Sequence, residues 1–182
     1  MDINMDINMD ILQIEQLKNS DDSLELFTLN KSIKVCKVVY VYDADTCHCI
    51  FYIDNKMHKF VCRLIGIDSP EIKPHKDIEN RDKHVDAAIR SRNRLIQLLT
   101  NIDIVIDTPY KKKQIKTMMK KNTKLMYIKC GEFDKYGRLL VEIVENQDDF
   151  DKPECVTINS TLISEGYAKV YDGDKKSSWI FD

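Results

Sequence analysis

The alternation of apolar and polar side chains predicts that the first half of the folded region is rich in β-structure. From Ser32 onward, β-branched and aromatic residues form three runs, at Ile33–Tyr42, Thr46–Ile53 and His58–Ile67. Asp54-Asn55-Lys56 separates the last two runs and has the composition of a hairpin turn. The pattern therefore predicts three consecutive antiparallel strands.

The hydrophobic period then changes from that of a strand to that of a helix. Over residues 82–100, apolar side chains recur at three- and four-residue steps, which predicts one amphipathic helix. Further along, the same reasoning predicts a short strand at Asp103–Asp107, two strands at Lys124–Lys129 and Arg138–Val144, a helix at Asn159–Glu165 closed by Gly166, and an extended segment at Tyr167–Tyr171.

Several short strands with one helix inserted after the third favour a small Greek-key barrel over a parallel sheet. We predict a mainly β (α+β) fold, in which a five-stranded barrel of the OB-fold type carries two or three helices. A generic α+β sandwich is the alternative.

Charge divides the 182-residue chain into two parts, although its length suits one domain with a core. Residues 1–30 contain the repeated Met-Asp-Ile-Asn unit and carry a net charge of −6, so the total of −2 leaves +4 for residues 31–182. We predict an acidic low-complexity appendage at 1–30, with a short helix compatible with Ile11–Leu17, and one domain at 31–182. A mildly basic body suits a polyanion-binding domain, but many other domains share that balance.

The lengths of the apolar runs and the cysteine pattern indicate the cellular compartment in which the protein is expected. No apolar run approaches the length of a membrane span, and the acidic N-terminus lacks the apolar core of a signal peptide. We therefore expect no membrane association and an intracellular protein, cytoplasmic rather than nuclear. Six cysteines without a C-x-x-C pair are expected to be reduced, buried thiols. Zinc is not expected at Cys47-His48-Cys49, because alternation in a strand turns His48 away from both cysteines.

Carboxylates occur where strands begin and end. Asp43 and Asp45 are two residues apart and project to the same side of a strand start, while Asp68 ends a strand. Two carboxylates with a backbone carbonyl suit an oxygen-seeking cation such as Ca²⁺. Each aspartate taken alone fits equally well as an ordinary turn residue.

Charged side chains of both signs accompany these aspartates. Arg63 lies inside an otherwise apolar strand, which is costly unless the guanidinium is paired or binds an anion. Glu71 follows Pro70 near the same strand end, and Arg138 follows a Tyr-Gly turn. Singly, these residues fit a surface arginine, a solvated glutamate and a hairpin-flanking charge. In combination they favour a metal-dependent phosphodiesterase.

The chain resembles the staphylococcal-nuclease (thermonuclease-like) family over roughly residues 32–171. The resemblance depends on three ordered segments, Asp43-Ala44-Asp45-Thr46, Arg63-Leu64-Ile65-Gly66-Ile67-Asp68-Ser69-Pro70-Glu71 and Asp134-Lys135-Tyr136-Gly137-Arg138, supported by Glu165-Gly166-Tyr167-Ala168-Lys169-Val170. Ala44 stands where the family usually has glycine, which matters only if that backbone needs a positive φ. Ser69 stands where threonine is common.

The resemblance implies a role for each charged position. Asp45 and Asp68 would be Ca²⁺ carboxylates, the Ser69 carbonyl a further ligand and Asp43 an outer-shell support. Glu71 would orient or deprotonate the attacking water, and Arg63 and Arg138 would hold the phosphate. Lys135 and Tyr136 would contact a neighbouring phosphate, and Tyr171 is the one suggestion for the base-binding side.

The implied activity is Ca²⁺-dependent endo- and exonucleolytic hydrolysis of DNA and RNA with little sequence preference, leaving 3′-phosphate ends. Expected substrates are single-stranded DNA and RNA, with duplex DNA as a further candidate, and the protein is expected to be a monomer. The alternative is a non-catalytic nucleic-acid or protein-binding module on the same barrel.

A lysine-rich segment at about 108–123 interrupts the resemblance. Six lysines fall within Lys111–Lys121, and the segment is interpreted as an insertion at the barrel rim. Our hypothesis is that Lys111, Lys112 and Lys113 gather substrate electrostatically. The competing interpretation is a solvated loop or a short helix with charged faces.

Overall fold

The computed structural model describes residues 11–173 and 178–179, and its centre is a closed five-stranded β-barrel. The seven strands are β1 (Ile33–Asp43), β2 (Thr46–Ile53), β3 (Lys56–Leu64), β4 (Ile67–Asp68), β5 (Met126–Phe133), β6 (Leu139–Val144) and β7 (Lys169–Val170). The barrel order is β1-β2-β3-β6-β5, and β4 pairs with β7 in a separate two-stranded sheet. The mainly β, OB-fold-like barrel is therefore confirmed.

Four α-helices accompany the barrel within the described ranges. They are α1 (Ile11–Lys18), α2 (Arg81–Leu99), α3 (Lys112–Lys121) and α4 (Ile158–Ser164), and a 3₁₀ turn covers Gln147–Asp151. Helix α2 follows the third strand as predicted, and Gly166, with φ of 77°, ends the α4 segment.

Local sequence explains the first hairpins. Asp54 and Asn55 adopt positive φ of 47° and 63° between β2 and β3, and such a two-residue turn matches the twist of the flanking strands. Gly66, with φ of 78°, divides the predicted run His58–Ile67 into β3 and β4. This break turns the chain just before Asp68.

The barrel interior is filled by small and branched side chains, including four of the cysteines. Cys36, Cys47, Cys49 and Cys62 are fully buried there. All six cysteines are free thiols, and Cys155 is the one that is partly exposed. His48 lies on the outer surface between Cys47 and Cys49, as strand alternation requires.

The predicted strand Asp103–Asp107 is wrong. The chain there makes a connection without strand pairing, because a buried side chain of α2 binds its backbone instead. Asn93 Nδ2 donates to the carbonyl oxygens of Ile106 at 2.7 Å and Thr108 at 2.8 Å. An apolar run of five residues is too short to distinguish a strand from such a connection by periodicity.

The lysine-rich segment forms α3, which packs on the barrel through Ile115 and Met119. Of the two forms considered for this segment, a solvated loop and a short helix with charged faces, the structure shows the helix. The helix lies against β1, and its buried side chains belong to the main core.

Residues 11–28 are exposed, and α1 buries no side chain, whereas Leu29 joins the barrel core. The Met-Asp-Ile-Asn repeat at 1–10 lies outside the described residues. Among the described helices, none has the length and apolar character needed to cross a bilayer.

Candidate active site

Arg63 and Asp45 form a buried ion pair at the end of the β1–β3 sheet. Arg63 Nη1 lies 2.7 Å from Asp45 Oδ2, and both side chains are at most one-tenth exposed. The register pairs Thr46 of β2 with Arg63 of β3, and Leu64 N donates to Asp45 O at 2.8 Å. The hairpin register thus brings the first predicted motif to the arginine of the second.

Asp68 joins this pair through the turn at Gly66. Its Oδ1 lies 3.8 Å from Arg63 Nη2, which also donates to Ile67 O at 3.2 Å. Ser69 N donates to Asp45 Oδ2 at 3.3 Å, so the segment after β4 is tied to the β1–β2 turn. We refer to Asp45, Arg63, Asp68 and Ser69 as the central cluster. All four residues are buried.

The central cluster fits a hard cation by the chemistry of its donors. Asp45 and Asp68 supply two carboxylates, and the Ser69 hydroxyl is buried with no hydrogen-bond partner among the described residues. Two carboxylates with hydroxyl and carbonyl oxygens suit Ca²⁺. Within residues 11–173 and 178–179, no group of three or more acidic, His or Cys side chains is arranged to hold a metal. A cation here would therefore depend on two carboxylates, backbone oxygen and solvent.

Asp43 and Glu71 lie beside the cluster. Asp43 Oδ1 accepts from Ile72 N at 3.1 Å, which holds the loop after Ser69. Burial, with added repulsion from Asp45 and Glu71, raises the pKa of Asp43 to about 6. Glu71 itself is exposed. It follows Ser69 of the central cluster by two residues, at a position that solvent reaches.

Arg138 belongs to a neighbouring feature and pairs with Asp134. Its Nε and Nη2 each lie 2.7 Å from Asp134 Oδ2 across the Asp134–Gly137 turn. Although burial alone would raise it, hydrogen bonds from Arg138 and Tyr136 hold the pKa of Asp134 below its ordinary value. Arg138 and Val61 line one cavity, and Val61 is two residues before Arg63. Arg138, which directly precedes β6, therefore lies beside Val61 of β3 and is turned towards Asp134.

Lys135 and Tyr136 project from the same turn. The Tyr136 ring is largely exposed, with Lys135 Nζ 5.2 Å and Arg138 Cζ 5.3 Å from its centroid. Cations on an exposed aromatic ring make a surface suited to phosphate and base contacts.

The three lysines predicted to act together diverge. Lys112 Nζ lies 5.8 Å from the Tyr40 ring centroid, on the barrel side of α3. Lys111 and Lys113 line a separate cavity together with Tyr110 and Gln114. The structure therefore separates Lys112 from the other two, because successive helix positions point about 100° apart.

Several residues without an assigned role contact the site. Trp179 Nε1 donates to Asp68 Oδ2 at 3.2 Å, and Thr46 Oγ1 donates to Asp45 Oδ1 at 2.8 Å. Tyr171, suggested for the base-binding side, also lies at the site, with Arg63 Cζ 5.8 Å from the centroid of its ring. Thr46 and Asp134 lie inside the motifs quoted above, so the sequence could have indicated their place at the site. Trp179 is 111 residues from Asp68, and no sequence pattern connects them.

The departure at Ala44 is tolerated. The backbone of Ala44 does not adopt a positive φ, and its side chain is fully buried. A glycine is not required by the backbone at this turn.

A model of the family described as staphylococcal nuclease homologue matches residues 61–179. This span is more than half of the chain. The chain belongs to this family. The match includes Arg63, Asp68, Glu71 and Arg138, whereas Asp45 lies before it and is connected to the site by the β2–β3 register. A comparison with curated proteins found no match. Family membership makes the chain a nuclease-type or nucleic-acid-binding module.

Proposed function

We propose that this protein is a Ca²⁺-dependent phosphodiesterase that hydrolyses DNA and RNA with little sequence preference and leaves 3′-phosphate ends. The observation that carries the proposal is the buried grouping of Asp45, Arg63 and Asp68 within one cluster. A binding module needs no buried carboxylate pair around a guanidinium, since phosphate contacts are made well by exposed lysines.

Asp45, Asp68 and the Ser69 carbonyl would hold the cation, with Asp43 supporting the loop through Ile72 N. The bound cation would supply Lewis-acid polarisation of a phosphate oxygen and would help to orient the attacking water. Arg63 lies against both carboxylates. With a cation held by Asp45 and Asp68, its guanidinium would be available to bind the phosphate.

The two arginines would stabilise charge on the phosphate. Planar guanidinium groups donate paired hydrogen bonds to phosphate oxygens, and such contacts strengthen as charge accumulates in the transition state. Arg63 approaches from β3, and Arg138 from the start of β6, held in a fixed orientation by Asp134. Lys135 and Tyr136, in the turn before Arg138, would contact the next phosphate.

Glu71 would orient the attacking water or accept its proton. Water then forms a bond to phosphorus while the bond to the 5′ oxygen breaks, and the leaving oxygen takes up a proton from solvent. The phosphate therefore stays on the 3′ side. The exposed position of Glu71 suits a group that must exchange protons with solvent.

The test is incubation of the purified protein with single-stranded DNA and with RNA at mildly alkaline pH, with Ca²⁺ or with a chelator. We expect cleavage of both substrates with Ca²⁺ alone and phosphate on the 3′ ends of the products. Asp68→Asn, purified identically, controls for a contaminating nuclease. If the folded protein retains oligonucleotides but does not cleave them above the chelated control, the binding-module alternative replaces this proposal.

A further inference from the structure

The outer face of β1–β3 continues from the central cluster across the barrel. The register places Thr46 opposite Arg63, and two residues further His48 lies opposite both Val61 and Tyr40. Side chains two residues apart on a strand share a face. The row formed by Tyr40, His48 and Val61 therefore lies next to the row formed by Thr46 and Arg63. Lys59 precedes Val61 by two residues, so it lies roughly 13 Å along β3 from Arg63 at the usual strand rise.

Helix α3 brings two lysines to this face. Lys112 Nζ and Lys116 Nζ lie 5.8 and 5.9 Å from the Tyr40 ring centroid. The two lysines are one helical turn apart, and Ile115 between them is buried against the barrel. Their positions are therefore set by the packing of the helix.

His48 is at the centre of this arrangement. Its ring meets the Tyr40 ring edge-on, with centroids 5.2 Å apart. Burial, together with Lys59, Lys116 and Lys112, lowers the pKa of His48 below its ordinary value. Within the part of the chain that the structure describes, none of these three lysines forms an ion pair. Two of these ammonium groups thus lie over the Tyr40 ring, the third belongs to β3, and none has an acidic partner among the described residues.

The same row reaches the second phosphate-binding arginine. Val61 is partly exposed and lines a cavity of about 450 Å³ with Tyr136, Gly137 and Arg138. The row therefore has Arg138 at one end and the α3 lysines at the other, and the central cluster lies along one side. We call Tyr40, His48, Val61, Lys59, Lys112 and Lys116 the outer strip.

We propose that the outer strip binds the strand of single-stranded nucleic acid that extends from the central cluster, with Lys59, Lys112 and Lys116 on its phosphates. The proposal rests on the proposed function, which supplies the substrate class. A polyanion matches the unpaired lysines in charge, and the exposed surface of His48 and Val61 offers contact to unstacked bases. A single strand is the fitting occupant because bases in a duplex are not free to make such contacts.

The chain contains a matched control for the lysines. Lys112→Gln with Lys116→Gln removes two charges from the outer strip, whereas Lys111→Gln with Lys113→Gln removes two from the other side of the same segment. Affinity for a labelled oligothymidylate is measured in chelator across a salt series. We expect the first pair to weaken binding about tenfold at low salt and to reduce the salt slope by about 1.4, at about 0.7 for each lost phosphate contact. The second pair lies outside the outer strip and should change affinity less than about twofold, in contrast to the sequence-based hypothesis that Lys111 and Lys113 also gather substrate. Equal losses in both pairs would overturn the outer strip.

His48 gives a readout independent of cleavage. Its imidazole pKa, followed by NMR, should rise when the oligonucleotide binds, because a nearby phosphate favours the protonated ring. An unchanged His48 pKa in the saturated complex would also overturn the proposal.

The outcomes separate the two proposals. Oligonucleotide binding with the expected lysine dependence, but without Ca²⁺-dependent cleavage, would contradict the proposed reaction and support binding by the outer strip. Cleavage with equal binding by both variant pairs would remove the outer strip and leave the reaction. An absence of binding by the unmodified protein would remove both.

Discussion

Arg63 Nη1 lies 2.7 Å from Asp45 Oδ2 in a part of the site that is almost closed to water. The same guanidinium lies 3.8 Å from Asp68, so one buried positive charge offsets two buried carboxylates. Removing it would take the guanidinium charge away from both carboxylates in a poorly solvated site. We therefore expect the arginine proposed for phosphate binding to contribute to stability as well.

Arg63→Met should lower the free energy of unfolding by about 3 kcal/mol in the presence of a chelator, since it removes the buried positive charge beside Asp45 and Asp68. Ca²⁺ should restore more stability to this variant than to the unmodified protein, because a cation would replace the lost charge. Denaturant unfolding with and without Ca²⁺ measures both effects. Arg90→Met is the control, because Arg90 pairs with Asp107 at the exposed surface and should contribute less than about 1 kcal/mol. A similar loss in both variants would contradict the structural role of Arg63.

Arg138→Lys should lower the rate of cleavage by about 10²- to 10³-fold, since an ammonium cannot reproduce the two-pronged contact. Arg63→Lys should have an effect of the same order for the same reason. Steady-state kinetics on a single-stranded substrate would show the loss mainly in kcat. Arg94→Lys is a matched control, because Arg94 of α2 forms a two-pronged pair with Glu165, the residue directly after α4, outside the central cluster. Near-normal turnover by Arg138→Lys would show that Arg138 was misassigned.

Glu71→Gln should retain the fold and lose most of the cleavage rate. The side chain is exposed, so its charge contributes little to stability, whereas the amide cannot accept a proton from water. The rate and the unfolding midpoint of the same preparation test both halves of this prediction. Glu79→Gln, which changes an exposed carboxylate eight residues further along the chain, is the control. Unchanged activity in Glu71→Gln would assign the proton to solvent instead.

Trp179 should report on cation binding through its fluorescence. It is the one tryptophan of the 182-residue chain, and its indole N–H donates to the Asp68 carboxylate. A cation on Asp68 would change this hydrogen bond and the field at the ring, so titration with Ca²⁺ should alter the emission and a chelator should reverse the change. Asp68→Asn should weaken or abolish the response, whereas Glu79→Gln should retain it. Ca²⁺-dependent cleavage without any change in Trp179 emission would place the cation away from Asp68.

Periodicity in the sequence is sufficient for the elements with a strong local signal. β1, β2, α2 and α4 appear within two residues of their predicted bounds, because each has a sustained apolar pattern or a clear turn at its end. The segment Asp103–Asp107 fails because its backbone partner is Asn93, a polar side chain on α2 that no local window includes.

The sequence by itself determined which side chains are available at the site: the aspartates, the two arginines and Glu71 were all predicted from short motifs. The tertiary structure decided how they are paired. Arg63 lies between Asp45 and Asp68, Arg138 is turned to Asp134, and Lys112 separates from Lys111 and Lys113. Trp179 reaches Asp68 from 111 residues away. Motif spacing records chain neighbours, whereas these contacts depend on barrel register and helix packing, which bring together residues that are remote along the chain.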